Sequence, residues 1–153
     1  MAMWTAFTVL VLVAAVQGYP SGAPESRCDD PRPKHPGSEE ISADKVTHLQ
    51  LKQSSRDFKN GDVITVTLVS TGAPFKGFLV KAFVADGGEI GGQFLPGEGV
   101  KVITKCSAIT HNNNNPKQEV VLQWKAAVAQ GTVHFKATVV EDIKKYYIGL
   151  ESH

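Results

Sequence analysis

The residue types that do chemistry are present in this chain but are not grouped for it. Ser107 and His111 lie close in sequence, as a nucleophile and its general base can. Such a pair needs a positioned acid, and no G-x-S-x-G turn presents the serine. Glu39–Glu40 and Glu141–Asp142 are adjacent carboxylate pairs. Acid–base work on a sugar needs two carboxyls whose pKa values are driven apart, and nothing around these loop residues would separate them. The five histidines, His35, His48, His111, His134 and His153, show neither H-x-H nor H-E-x-x-H spacing. A metal site is therefore not expected. Residues 87–92 are glycine-rich like a phosphate loop, yet lack the Lys-Ser/Thr pair, the following helix and a βαβ setting. The chain is expected to be no enzyme and to carry no cofactor.

Binding chemistry is better represented. In Phe75-Lys76-Gly77-Phe78-Leu79-Val80 an aromatic flanks Lys-Gly on each side, directly after Pro74. Phe78 then faces the core, Gly77 permits close approach, and Phe75 or Lys76 is left as a surface contact. His111 and Asn113, in the polar run leading to Pro116, complete the candidate ligand-binding set of Phe75, Lys76, His111 and Asn113. The runs at 87–92 and 111–115 are the loops expected to present it, since binding residues concentrate on loops held by a rigid scaffold.

Two cysteines, Cys28 and Cys106, are the remaining reactive groups. Their interpretation depends on compartment. Residues 1–18 carry no charged side chain, run apolar from Trp4 to Val16 and are followed by Tyr19-Pro20-Ser21-Gly22-Ala23-Pro24. That is the form of a secretory signal peptide cut after Gly18, although Lys and Arg are missing from its start. The apolar run is shorter than the roughly 20 residues needed to span a bilayer. In an oxidising compartment an even cysteine pair reads as one disulfide, here Cys28–Cys106. It would close a long loop and contribute at most roughly 4 kcal/mol.

Charge narrows the partners. With 16 Lys and Arg against 15 Asp and Glu, the formal net charge is +1. A protein that neutralises a phosphate backbone would show a basic stripe, so nucleic acid is not an expected partner. No second apolar run approaches membrane-spanning length.

The elements that must position these residues are strands. Residues 19–45 hold Pro20, Pro24, Pro31, Pro33 and Pro36 and form an extended arm, neither helix nor central strand, anchored by Cys28. From Val46 the hydrophobic period is two. Strands are predicted over 46–51, 62–69, 78–85, 100–104, 119–125, 132–140 and, as a final edge strand, 146–150. Ile64, Val66 and Leu68 share a face, as do Val120, Leu122 and Trp124, and as do Val133, Phe135, Ala137 and Val139, with His134, Lys136 and Thr138 outward. Turn signals every ten to fifteen residues or so, with no competing amphipathic helix, predict an all-β fold. The architecture is an antiparallel, immunoglobulin-like β-sandwich of about seven to nine strands over 46–150, within one domain spanning 19–153. Trp124 is its predicted centre; a barrel is the alternative.

An ordered set of segments resembles the Reeler (reelin-type) domain. It comprises the Tyr19–Pro24 segment with Cys28, Pro33 and His35; Phe75 to Val80; Cys106 with Thr110-His111; Trp124-Lys125-Ala126; Gly131 to Phe135; and Ala137 to Val140. Pro31 and Ala127 depart from the usual family residues. As a single secreted domain the chain is most similar to small insect defence proteins of the family. The resemblance implies a secreted haemolymph protein of innate immunity. It would bind microbial surface polymers such as lipopolysaccharide, lipoteichoic acid or β-glucan, engage haemocyte surfaces in aggregation, and support antimicrobial defence. An extracellular matrix or adhesion role is the alternative. No catalytic residue is carried over; only the cysteine pair is.

Overall fold

The computed structural model describes residues 19–85 and 91–153. The signal segment and residues 86–90 of the glycine-rich connection lie outside the described residues. Eleven strands follow in chain order. They are β1 (Glu39–Ser42), β2 (Leu49–Gln53), β3 (Asp57–Lys59), β4 (Val63–Ser70), β5 (Gly77–Val84) and β6 (Gly92–Phe94), then β7 (Val100–Ile103), β8 (Ala108–His111), β9 (Glu119–Ala126), β10 (Gln130–Asp142) and β11 (Lys145–Glu151). One sheet runs β2-β4-β9-β6; the other runs β1-β11-β10-β5-β8-β7, with β3 paired to the start of β10.

The two inner faces meet as their alternation dictates. Ile64, Val66, Leu68, Leu122 and Trp124 face Phe78, Val80, Val133, Phe135 and Val139, all buried. Trp124 is fully buried and packs edge-on against Phe58 and Phe135, with ring centroids 5.3 and 6.0 Å away. Its indole N–H donates to Ser107 Oγ (3.0 Å), and that hydroxyl donates to the Gly92 carbonyl (2.7 Å). Gly92 has to be glycine, because a Cβ there would sit 2.5 Å from the indole.

Three features differ from the expectation. The arm holds regular structure: a short 3-10 turn at Glu25–Arg27 and the edge strand β1. The turn tolerates Pro24 because a proline at its N-cap lacks only a donor that would go unpaired there. Second, β1 pairs parallel to β11, so β11 is not an edge strand and the large sheet is not wholly antiparallel. Tyr146 secures this addition by donating its hydroxyl hydrogen to Glu40 (2.7 Å). Third, β5 is buried on both faces near its start. Phe78 and Val80 face the core, while Leu79 packs outward with Ala23, Cys28, Ile103 and Ala108. The arm therefore lies across the outer face of the large sheet, and the Cys28–Cys106 disulfide (S–S 2.06 Å) ties it to the turn between β7 and β8.

Candidate functional site

Ser107 and His111, close in sequence, are each engaged in other hydrogen bonds. Ser107 is buried, its hydroxyl held between Trp124 and Gly92. His111 ends β8, also buried, and its ring serves the backbone. The Phe78 N–H donates to Nδ1 (3.0 Å). Nε2 then carries the hydrogen and donates to the Tyr19 carbonyl (3.0 Å). Burial pushes the imidazole below its ordinary pKa, against these backbone hydrogen bonds and with smaller help from Lys117 and Lys101. Next to it, Thr110 donates to the Phe78 carbonyl (2.7 Å) and accepts the Ala23 N–H (3.1 Å). This pair clamps the start of the arm to the sheet. Among the described residues no group of three His, Cys, Asp or Glu side chains could hold a metal ion.

The proposed ligand contacts separate on folding. Phe75 is only 1% exposed: its backbone pairs with Lys117 and its ring packs edge-on to Phe78 at 6.3 Å. It is corrected from surface contact to core. Lys76 is exposed, and none of the ion pairs among the described residues includes it. Asn113 is half-buried and shapes its own loop. Its side-chain oxygen accepts from the Asn115 N–H and from Lys117 Nζ, whose other hydrogen bonds go to backbone carbonyls of Lys76, Asn113 and Asn115. Burial lowers the pKa of that Lys117 ammonium. Of the four, Lys76 and His111 come together, at the rim of a recess beneath the arm.

A second recess on the same outer face has the stronger recognition chemistry. Antiparallel pairing sets Lys81 of β5 opposite Lys136 of β10, and Phe83 opposite His134. Like charges directly across a ladder are destabilising, so the sheet keeps this pair at a cost. Phe83, half-exposed, is the shared platform. His134 stacks on it with centroids 5.4 Å apart and planes at 20°. The Lys81 and Lys136 ammoniums stand 5.3 and 5.5 Å from the ring centroid, within cation–π range. Lys81 Nζ also donates to the Cys28 carbonyl (2.9 Å), and Lys136 pairs with Glu151 (2.8 Å).

The recess beside them, about 350 Å³, is lined in part by Arg27, Pro31, Lys81, Phe83, Lys136 and Thr138. Arg27 is only 9% exposed, with Nη1 donating to the Arg32 carbonyl (3.3 Å) and 3.9 Å from Asp30. Its Nε is buried without a partner. Two ammoniums and an accessible ring, with the Arg27 guanidinium in the wall behind them, form a surface for an anionic, partly apolar-faced group such as an acidic or phosphorylated sugar. The sequence carried part of this signal. His134 and Lys136 read as outward, and Phe83 falls on the same parity as Lys81, an aromatic at a polar-face position. Which outward residues converge depends on the β5–β10 register, which no local pattern specifies.

Comparison with known proteins gives a consistent assignment. The family profile of the Reeler domain matches residues 26–153. A proposed defence protein, Hdd11, of Hyphantria cunea is 30% identical over 98% of this chain and 96% of its own length. Ferric-chelate reductase 1 of Bos taurus is 33% identical over 94% of this chain, which covers only 25% of that protein. A similar reductase homologue of Drosophila melanogaster is matched over 26% of its length. The crystal structure of the human F-spondin reeler domain superposes with a TM-score of 0.60 at 21% identity, covering 76% of this chain and 92% of that one.

Proposed function

The chain belongs to the Reeler domain family, and from that premise we propose that it is a secreted, non-catalytic defence protein that recognises anionic polymers of microbial surfaces. Defence-type relatives matched along almost their whole length support the defence role. The observation that carries the recognition chemistry is the Lys81–Phe83–Lys136 cluster with the unpaired Arg27 Nε beside it. It favours lipopolysaccharide and lipoteichoic acid, which bear phosphates, over neutral β-glucan. A repetitive polymer offers the same contact many times, so many copies of the protein can coat one microbe. Coating of this kind would let haemocytes gather on the microbe through the rest of the protein surface, and would place the site of action in haemolymph.

The test is co-sedimentation of the protein lacking residues 1–18 with bacterial cells and with each purified polymer across a salt series. Exposed charge contacts are screened over about 8 Å at physiological ionic strength, so binding to the two anionic polymers should weaken as salt rises. The recovered polymer should be chemically intact. Folded protein that binds none of them at any salt concentration would remove the microbial reading and leave a matrix or adhesion role. Cleaved polymer would overturn the non-catalytic reading.

A further inference from the structure

The recess that joins Lys76 and His111 differs in character from the cationic groove, although Pro31, Leu79 and Thr138 line both. It is a cavity of about 380 Å³, within the size range of small-molecule sites. Its walls are mostly apolar. The arm contributes Pro20, Pro31 and Pro33, and the sheet contributes Phe78, Leu79 and Val140. Ile143 stands at its mouth with 54% of its surface exposed, one of the few large apolar side chains left in water.

A few polar groups converge on this apolar space. His35 lines it, and both its ring nitrogens are buried without a hydrogen-bond partner. A neutral imidazole left so has an N–H without an acceptor, which a ligand carboxylate oxygen would supply. Lys76 lines it too, and its ammonium has no carboxylate partner among the described residues. The cavity's one carboxylate, Asp142, already accepts the Lys144 N–H (2.7 Å). An apolar chamber with one free ammonium and an unsatisfied imidazole suits a ligand with an apolar body and a single anionic head.

We infer that this cavity is a binding site for a fatty-acid-sized amphiphile with a carboxylate head, its chain against Pro33, Leu79 and Val140 and its head at Lys76 and His35. This inference stands apart from polymer recognition, because the cavity is apolar where the groove is cationic, and each can fail alone.

Calorimetric titration with dodecanoate alone, kept below its micellar concentration and at low salt so that the charge contact at Lys76 is not screened, reads the site directly. Dodecanoate should bind saturably at one site, dodecanol more weakly, and dodecyltrimethylammonium not at all. Lys76→Ala should weaken dodecanoate binding about two- to fivefold and Asp142→Asn should strengthen it by a similar factor, the range of a single exposed charge contact. Val140→Phe should fill the cavity and abolish binding. Should that variant not fold, the two charge variants at the cavity edge still decide the matter. Intact lipoteichoic acid, whose acyl chains are esterified and carry no free carboxylate, should not displace dodecanoate; displacement by it would overturn the head-group assignment. The inference is overturned if the folded protein shows no saturable binding, if the three head groups bind equally, or if folded Val140→Phe binds as the parent does.

Discussion

Replacing both cysteines, Cys28→Ser with Cys106→Ser, isolates what pins the arm. The bridge spans 78 residues of sequence. Loop-closure entropy for that length gives roughly 4 kcal/mol at 25 °C, a ceiling that residual structure in the unfolded chain lowers toward about 2 kcal/mol. Other anchors survive the change. His111 still holds the Tyr19 carbonyl, Thr110 still accepts the Ala23 N–H, and β1 stays paired with β11. Both ends of the arm therefore stay docked while the stretch between them loosens. Urea denaturation should show a loss of about 2–4 kcal/mol. Tryptic cleavage at Arg27 or Lys34 should accelerate in the native state, since local opening exposes backbone that the crosslink protected. Both recesses use this stretch as a wall, so ligand binding should fall even where the sandwich remains folded. A stability loss under about 1 kcal/mol, together with unchanged cleavage, would refute the claim that the crosslink is what holds the arm down.

Trp124→Ala removes a fully buried indole and leaves Ser107 Oγ without its donor; equilibrium denaturation should register about 3–5 kcal/mol, and under 1 kcal/mol would show that the indole is not the packing centre. The His111 pKa lies below its unfolded reference of 6.5 in the native state. The unfolded chain thus binds the proton more readily, so this residue's contribution is intact above pH 6.5 or so and declines as pH falls from there through its lower native value. Stability measured from pH 7 to 5 should decline, and less steeply in His111→Gln; identical slopes would count against the buried neutral imidazole. Glu151→Gln frees the Lys136 ammonium from an exposed ion pair. It should change stability by no more than about 1 kcal/mol while tightening lipoteichoic acid binding at low salt, and weaker binding would contradict the role given to Lys136.

Strands with one wet face were legible because alternation encodes them. β4, β9 and β10 reproduce the predicted inward sets, and Trp124 sits where its parity places it. The rest was hidden for specific reasons. β8 is buried at all four positions, so it shows no alternation to detect. β3 and β6 are three residues each, too short to carry a period. β1 lies in a proline-rich stretch and finds its parallel partner more than a hundred residues away. At the binding surface, Lys76 was identified as exposed, but Phe75 is drawn inward by its bridge to Lys117 and its packing on Phe78. The Lys81–Phe83–His134–Lys136 cluster combines two distant strands and appears only once their register is known.

The most direct measurement of the central claim is an equilibrium isotherm for lipoteichoic acid with the parent protein and with the triple variant Lys81→Ala, Phe83→Ala, Lys136→Ala. All three side chains lie on the outer face of the sheet, away from the sandwich core, so the variant should keep its fold and its thermal transition. The account predicts that the parent binds at low salt and releases progressively as salt rises, while the folded variant binds little at any salt concentration. Parent-like binding by the folded variant, or parent binding indifferent to salt, would contradict it.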